Sequence, residues 1–356
     1  SPYCIKDYKS LNPNYGDLDD LRELVDSAHA KGMAVMMDWV ANHTSWDHIW
    51  MADESFYVKQ NGVIIHPPGT NWQDVAELNY SNAEMRGEMI SAMKYWVLEA
   101  NIDGYRCDYA TGVPGWFWEE AIDTLRSIPN RDLIMFAESD DLSLLNKGFD
   151  MAFSWGFYGK SLGVFTQGDD ARELYTQHTT EFFSLDPGKT MVRFVTNHDQ
   201  NAWDNTPQAL FGSQDKVMSA FVLATTMGGV PLLYNGQEKA LPYKLPFFTP
   251  TSVDINWSLN PEVTKEYKAI LSAYNTYDAL RGKSRTNLST FNIAAFTATG
   301  TGHEAIVAVN PRNSAMSIGL PSDWQSVSVL DPVSGATVNT GSTLMLAPYQ
   351  YQILVK

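Results

Sequence analysis

Apolar side chains recur at helical spacing between Asp17 and Lys31, which indicates an amphipathic helix. Asp17 is placed to cap the start of this helix, and Gly32 is placed to end it. Residues 33–38 then form a short apolar run that closes on Asp38. Such a run is too brief for a helix, so it predicts a strand that is buried on both faces.

Helical and apolar stretches continue to alternate along the chain. Further helices are predicted near residues 82–100, 116–126 and 217–227. The strands are predicted at residues 33–38, 102–108, 133–138, 149–155, 191–197 and 230–235. Strands that alternate with helices are typical of a parallel α/β sheet, so the pattern predicts six parallel strands.

Two regions depart from this alternation. Residues 46–80 are aromatic and irregular, and a loop of that length in a compact domain is usually functional. From about Asn287 the chain changes to short alternating segments separated by Gly, Ser, Asn and Pro, which predicts an antiparallel β module. The sequence therefore predicts one large α/β domain followed by a small β domain.

The composition is that of an acidic globular protein. Of the 356 residues 44% are hydrophobic and 12% are aromatic, and the formal net charge is −16. This charge repels nucleic acid and anionic membranes, and no apolar stretch reaches the length of a membrane span, so a neutral substrate is favoured. We expect no organic cofactor. We also expect a secreted or periplasmic location rather than a cytoplasmic one, although the first residues carry no leader sequence.

Only two cysteines occur, Cys4 and Cys107. They predict neither a disulfide framework nor a paired-cysteine metal site. Cys107 lies inside a predicted strand, so we expect it to be a buried thiol that packs as a small hydrophobe.

Polar side chains follow several of the predicted strands. Residues 38–43 close the first strand, Asp108 the second, Glu138 the third, and residues 197–199 the fifth. In parallel α/β barrels the carboxyl ends of the strands meet around one mouth. Three acids (Asp108, Glu138 and Asp199), two histidines (His43 and His198) and Arg106, two residues before Asp108, are therefore expected to converge on one pocket.

The surroundings of two of these acids predict different charge states. Residues two apart share one face of a strand, so Arg106 is expected beside Asp108, where it favours the ionised carboxylate. Glu138 follows an apolar strand, where burial and nearby negative charge would raise its pKa. One anionic and one protonated carboxyl group are the two halves of retaining glycosidase chemistry.

Each motif also has a structural interpretation. An Asp at a strand end is most often a helix cap or a turn former, and a His-Asp pair is commonly structural. Aromatic side chains could stack on sugar rings, but any single one is more typical of core packing. The residues concerned are Trp39, Trp46, Trp50, Trp72, Trp116 and Trp155. The ordered set of motifs is far more specific than any member of it.

Four segments stand in order at the strand ends: residues 38–43, 104–108, 137–138 and 194–199. They read Asp-Trp-Val-Ala-Asn-His, Gly-Tyr-Arg-Cys-Asp, Ala-Glu and Phe-Val-Thr-Asn-His-Asp. In this order they resemble the signature segments of the α-amylase family of glycoside hydrolases. The similarity extends over the whole chain, including the C-terminal β module.

The resemblance implies a role for each matching residue. Asp108 would be the nucleophile, Glu138 the acid/base, and Asp199 the third carboxylate, which stabilises the distorted sugar. Retaining chemistry predicts roughly 5–5.5 Å between the carboxyl groups of Asp108 and Glu138. The residues that the resemblance assigns to substrate binding are Arg106, which orients the nucleophile, with His43, His198, Asn197 and Tyr3.

A bound calcium ion stays open at this point. Asn42 and Glu77 match positions that bind calcium in the family, and oxygen donors suit this ion. Glu77 stands where an Asp is usual, however, and Thr111-Gly112 replaces the Lys-His that many α-amylases carry after the nucleophile. The chain thus lacks the family's sugar-binding Lys and the His whose carbonyl binds calcium.

The resemblance also implies a TIM (β/α)8-type barrel with an inserted domain B and a C-terminal antiparallel β-sandwich. We expect residues 1–285 to form the barrel, residues 46–80 the insert and residues 286–356 the sandwich. The chain opens in the loop after the family's second strand, so the barrel is predicted to be truncated to about six strands. A second copy of the chain, in a homodimer, or rearranged loops would cover the exposed strand edges.

The leading interpretation is a retaining hydrolase of α-1,4-glucosidic bonds in starch, glycogen and maltooligosaccharides. An oligosaccharide α-glucosidase, a cyclomaltodextrinase and a glucanotransferase are alternatives within the family. A non-catalytic glucan-binding scaffold is a second class, although the three intact carboxylates argue against it. A metal-dependent hydrolase would be expected to carry histidines at spacing such as His-x-His, which is absent from the seven histidines.

Overall fold

The computed structural model describes residues 3–183, 185–248, 254–282 and 284–356. The chain divides into two compact units. The first unit comprises Ser1–Phe153 with Pro187–Lys189, and the second comprises Ser154–Asp186 with Thr190–Lys356. This division differs from the boundary at residues 285–286, which stays a prediction about domains.

Nine α-helices lie within the described ranges. In chain order, α1 to α9 are Leu18–His29, Ala83–Glu99, Gly115–Arg126, Trp155–Leu162, Arg172–Phe182, Pro207–Phe211, Gln214–Thr226, Pro261–Thr276 and Asp278–Arg281. The Asp17 side chain accepts hydrogen bonds from the backbone of Asp19 and Asp20, and the Asp20 side chain accepts one from the backbone of Asp17. This reciprocal capping box starts α1 at the cap that the sequence predicts.

The strands β1 to β18 fall into a parallel group, two short ribbons and a C-terminal group. In chain order they are Met36–Trp39, His43–Ser45, Lys59–Gln60, Val63–Ile64, Val75–Glu77, Gly104–Cys107, Ile134–Ala137, Met151–Phe153, Thr190–Arg193, Val230–Pro231, Ser284–Asn287, Ala294–Thr299, Glu304–Val309, Met316–Gly319, Ser328–Leu330, Thr337–Asn339, Thr343–Leu346 and Tyr351–Val355.

All six predicted α/β strands are present, each shorter than predicted. In the first unit β1, β6, β7 and β8 pair in that order, and every pairing is parallel. In the second unit β9 and β10 pair in parallel. Helices separate most of these strands along the chain, which is the α/β pattern that the sequence predicts.

The prediction that β1 is buried on both faces is wrong. Met36 is 38% exposed and Met33, just before the strand, is 52% exposed. Among the described residues of the first unit β1 pairs only with β6, so it is an edge strand. Only its last residue, Trp39, is buried.

Residues 46–80 are more regular than their sequence indicates. β2 pairs with β5 and β3 pairs with β4, and both ribbons are antiparallel. The ring of Tyr57 is buried, and its hydroxyl shares a 2.9 Å hydrogen bond with Thr44. The segment is therefore a small folded insert rather than an open loop.

The C-terminal β module contains two antiparallel sheets. One has the order β11-β12-β13-β18-β15-β16, and the other pairs β14 with β17. Side chains from both sheets share one apolar core: Ile293, Ala295, Ile306, Ala308, Ile318, Leu320, Trp324, Val329, Leu344, Leu346 and Leu354. This two-sheet arrangement agrees with the antiparallel module that the sequence predicts.

The structure also describes both cysteines. Among the described residues Cys4 and Cys107 form no disulfide, and Cys107 is fully buried as expected. Burial raises the pKa of the Cys107 thiol, so it stays uncharged. Across the described ranges, no helix has both the length and the apolar character that crossing a membrane requires.

Candidate active site

The register of the first unit places two acids at the same level of the sheet. β6 and β7 are parallel neighbours in which Cys107 lies opposite Ala137. Asp108 and Glu138 follow these two residues directly. The backbone N–H of Glu138 donates to the carbonyl of Cys107 at 2.9 Å, which extends the pairing to the acid itself.

A single guanidinium, that of Arg106, contacts three carboxyl groups. Its Nη1 donates to Oδ1 of Asp38 at 2.9 Å and to Oδ1 of Asp108 at 2.9 Å. Its Nη2 contacts Oε1 of Glu138. The Arg106 side chain is only 12% exposed. Arg106 therefore lies beside Asp108, as strand alternation predicts, and it also links that acid to Glu138.

The carboxyl groups outnumber the cation, and this imbalance favours a proton on one of them. One positive charge cannot neutralise three carboxylates. Burial, with the charge of Asp108 as an additional cause, raises the pKa of Glu138 to about 8 even though Arg106 opposes this change. The protonated form of Glu138 is therefore favoured at neutral pH, as its apolar strand predicts.

His43 lies in the first unit and is 6% exposed. Burial lowers its pKa, although Asp108 and Asp74 oppose that change, so the neutral ring is favoured. The ring of Trp72 lies 5.6 Å from the His43 ring in an edge-on arrangement. Tyr3 is 40% exposed, so its ring is accessible to a ligand.

Asn197, His198 and Asp199 lie in the second unit, next to the π-helical turn Gln200–Asp204. Asn197 is buried, and its Oδ1 accepts the backbone N–H of Gln200 at 2.9 Å. Nε2 of His198 lies 3.6 Å from Oδ2 of Asp199. The ring of Phe247 lies nearly parallel to the His198 ring, with the centroids 6.4 Å apart. Half-buried His198 and Asp199 thus have an aromatic neighbour that the sequence did not indicate.

The two residues matched to calcium positions are brought together by the insert. The backbone N–H of Leu78 donates to the carbonyl of Asn42 at 3.2 Å, next to Glu77. Oε2 of Glu77 is buried without a hydrogen-bond partner among the described residues, and burial raises the pKa of this carboxyl. A buried acceptor beside an amide residue fits a cation that prefers oxygen ligands.

Two residues without a predicted role belong to the Arg106 cluster. Asp38 contacts Arg106 directly, and the backbone N–H of Tyr109 donates to Oε2 of Glu138 at 2.9 Å. Asp38 ends a predicted strand, as Asp108 does, and that shared position is the signal for it. The Tyr109 contact has no such signal, because it depends on a left-handed backbone with φ of 40°.

Comparison with known proteins finds similarity to α-amylases and to cyclomaltodextrin glucanotransferases. The model of the α-amylase catalytic domain matches residues 1–62. α-Amylase 3 of Dictyoglomus thermophilum is 26% identical over 276 residues, which are 66% of this chain and 53% of that protein. A cyclomaltodextrin glucanotransferase of Thermoanaerobacterium thermosulfurigenes is 26% identical over 67% of this chain and 37% of its own length. The chain thus spans about half, or less, of these relatives.

Solved structures show the same relationship. The crystal structure of a maltogenic α-amylase from Thermotoga neapolitana matches with a TM-score of 0.87 and 25% identity, over 100% of this chain and 85% of that one. An α-amylase from Lactobacillus plantarum shares the fold, with a TM-score of 0.87 and 23% identity over 100% of this chain and 86% of its own. The chain is therefore similar to the α-amylase catalytic domain over residues 1–62, and its fold is similar to that of these α-amylase structures.

Proposed function

We propose that the chain is a retaining glycoside hydrolase that cleaves α-1,4-glucosidic bonds in starch, glycogen and maltooligosaccharides. The observation that carries this proposal is the Arg106 cluster, in which one guanidinium contacts both Asp108 and Glu138 and burial raises the pKa of Glu138 to about 8. The relatives named above are α-glucan enzymes by name, which supports the same class of substrate.

In the proposed reaction Asp108 attacks the anomeric carbon and forms an ester with the sugar. Glu138 donates its proton to the glycosidic oxygen, so the leaving sugar departs as an alcohol. Glu138, now a carboxylate, takes a proton from water as the water oxygen attacks the anomeric carbon and releases Asp108. Both carboxyl groups return to their starting states, and two inversions retain the anomeric configuration.

The remaining roles rest on the family resemblance. Arg106 orients Asp108, and its contact with the carboxylate supports that role. We assign Asp199 to stabilisation of the distorted sugar. His43, His198, Asn197 and Tyr3 are assigned to substrate binding. Asn42 and Glu77 would bind calcium, which would brace the insert.

A transglycosylase of the same family is the main alternative, because a sugar hydroxyl in place of water gives transfer through the same intermediate. An oligosaccharide α-glucosidase and a cyclomaltodextrinase would differ in the substrates that they accept. A non-catalytic glucan-binding scaffold is disfavoured, because a scaffold does not require a protonated Glu138 beside an ion-paired Asp108.

Product analysis with soluble starch and maltoheptaose tests the proposal. The parent is expected to release α-configured maltooligosaccharides, and Asp108→Asn and Glu138→Gln to lose most of that activity. Asp132→Asn is a matched control, because this acid lies outside the cluster. β-Configured first products would contradict a retaining mechanism. A parent that binds starch without releasing sugar would favour the scaffold.

The homodimer and the truncated barrel stay predictions. Met36, exposed on edge strand β1, is compatible with a covered edge. Light scattering in dilute solution tests the dimer, and a mass equal to one chain would contradict it.

A further inference from the structure

The residue after the proposed nucleophile, Tyr109, has an unusual backbone. Its φ and ψ are 40° and 51°, in the left-handed region that residues with a Cβ atom rarely adopt. This conformation points its N–H at Oε2 of Glu138, at 2.9 Å. Glycine would donate the same hydrogen bond without strain. The main-chain contact therefore does not explain why a tyrosine stands here.

The Tyr109 side chain forms part of an exposed aromatic surface. The ring is 36% exposed, and its centroid lies 5.3 Å from that of Trp72 in an edge-on contact. Trp72 in turn contacts the buried His43 ring at 5.6 Å. We call the rings of His43, Trp72 and Tyr109 the aromatic wall. All three belong to the first unit, as do Asp108 and Glu138.

Gly112 provides the space that the Tyr109 ring occupies. A Cβ atom at residue 112 would overlap the Tyr109 ring and would lie 2.5 Å from Oδ1 of Asn42. The φ of Gly112 is not in the left-handed region, so this glycine is required for space rather than for conformation. Gly112, which stands where many α-amylases carry His, therefore leaves space for the Tyr109 ring.

We propose that Tyr109 and Trp72 bind the sugar on the leaving-group side of the scissile bond, so that Tyr109 determines specificity for that sugar. This inference rests on the proposed function. Glu138 protonates the glycosidic oxygen, and the residue bonded to Oε2 of Glu138 is therefore next to the group that departs. An exposed aromatic ring provides an apolar face for a neutral pyranose.

The same surface would bind an acceptor sugar after the first product has left. In transfer, the acceptor hydroxyl oxygen bonds to the anomeric carbon, the ester bond to Asp108 breaks, and Glu138 takes the hydroxyl proton. In the competing hydrolysis the acceptor is water, which does not need to bind to the aromatic wall. The wall therefore favours sugar acceptors over water and raises the ratio of transfer to hydrolysis.

Two substrates distinguish binding of the leaving-group sugar from the chemical step. Maltoheptaose places sugars on both sides of the cleaved bond, whereas α-maltosyl fluoride has fluoride as its leaving group and no sugar there. Tyr109→Gly keeps the N–H to Glu138 but removes the ring. We expect kcat/KM to fall about tenfold further for maltoheptaose than for the fluoride, and the ratio of transfer to hydrolysis with added maltotriose to fall severalfold.

Tyr109→Phe keeps the ring and is expected to restore both ratios to within about twofold. Trp72→Ala should shift them in the same direction as Tyr109→Gly. Tyr15→Ala removes a tyrosine that is 73% exposed outside the aromatic wall, so it should leave both ratios at the parent values.

The outcomes distinguish this inference from the proposed function. Equal losses of Tyr109→Gly on both substrates, or no change in either ratio, would overturn the inference while the hydrolase stands. A parent that is inactive on α-maltosyl fluoride would overturn the proposed function itself, and the inference with it.

Discussion

Two buried arginines, one in each unit, differ in the balance of charge around them. Arg106 contacts three carboxyl groups, those of Asp38, Asp108 and Glu138. Arg193, at the end of β9, is fully buried and forms an ion pair with a single carboxylate, that of Glu181, at 2.8 Å. Both are arginines on parallel strands, yet only the first is surrounded by surplus negative charge.

The remaining contacts of Arg193 are neutral. Its guanidinium lies 3.8 Å from the centre of the Phe157 ring, and its Nη1 donates to the carbonyl of Met227 at 3.1 Å. Nη2 lies 3.4 Å from Nδ1 of His178, which must accept because an arginine can only donate. Burial lowers the pKa of Arg193, whereas its three carboxyl neighbours raise the pKa of Arg106.

This difference separates a structural ion pair from a reactive cluster. The charges of Arg193 and Glu181 cancel, so this ion pair does not favour a proton on the carboxylate. At the Arg106 cluster, burial together with the charge of Asp108 raises the pKa of Glu138 and favours a proton on it. Surplus charge, rather than burial alone, therefore marks the candidate site.

The largest effect on folding is expected from Arg193→Met. This change leaves Glu181 buried without its cation, so the free energy of unfolding should fall by about 3–5 kcal/mol. Urea unfolding measures it, and the specific activity of the folded fraction should stay near that of the parent. Arg172→Met is the control, because Arg172 is exposed and exposed ion pairs such as that with Asp170 contribute little to stability. Equal destabilisation by both changes would contradict the difference in burial.

Arg106→Met should act mainly on the reaction. Without the guanidinium, Asp108 and Glu138 lose the group that contacts both of them, so their carboxyl groups are free to shift. A shift of a catalytic group by about 1 Å costs on the order of a hundredfold in rate. We expect at least that loss in kcat on maltoheptaose. The loss of unfolding free energy should be smaller than in Arg193→Met, because the Asp38 side chain is 59% exposed and remains hydrated. A variant with full activity would exclude an orienting role for Arg106.

Glu138→Gln should change how stability depends on pH. The pKa of Glu138 is raised from 4.5 to about 8, so between these values the unfolded chain loses a proton that the folded chain keeps. This contribution to stability is complete below pH 4.5 and is lost as the pH rises through 8. Gln cannot ionise, so the unfolding free energy of the variant relative to the parent should rise over that window, by about 1.4 kcal/mol for each pH unit between the two pKa values. A constant difference across the pH range would contradict the raised pKa.

His178 should give a dependence of stability on pH with the opposite sign. Burial, with Arg193 and Arg285 nearby, lowers its pKa from 6.5 to about 3. Below pH 6.5 the unfolded chain binds a proton that the folded chain excludes, so stability is lost as the pH falls. In His178→Gln the fall in unfolding free energy below pH 6.5 should be reduced, by about 1.4 kcal/mol for each pH unit in which only the unfolded chain binds the proton. His29→Gln is a control, because that histidine is only partly buried. An unchanged slope in His178→Gln would contradict exclusion of the proton.

Several features followed from local pattern alone. The Asp17 cap, the six α/β strands and the position of Arg106 beside Asp108 depend on spacing within one element, so they could be predicted. The raised pKa of Glu138 followed from the apolar residues before it. The exposure of β1 could not be predicted in this way, because it depends on which strands pair with it.

The sequence by itself determined the resemblance to the α-amylase family, the order of the strands and the acids that end them, because periodicity and motif order can be read from the residues alone. Only the tertiary structure decided that Asp38 shares Arg106, that Tyr109 contacts Glu138, and that Arg193 is balanced. These contacts join residues that are distant in the sequence. Their geometry depends on strand register, backbone conformation and burial, which no local pattern specifies.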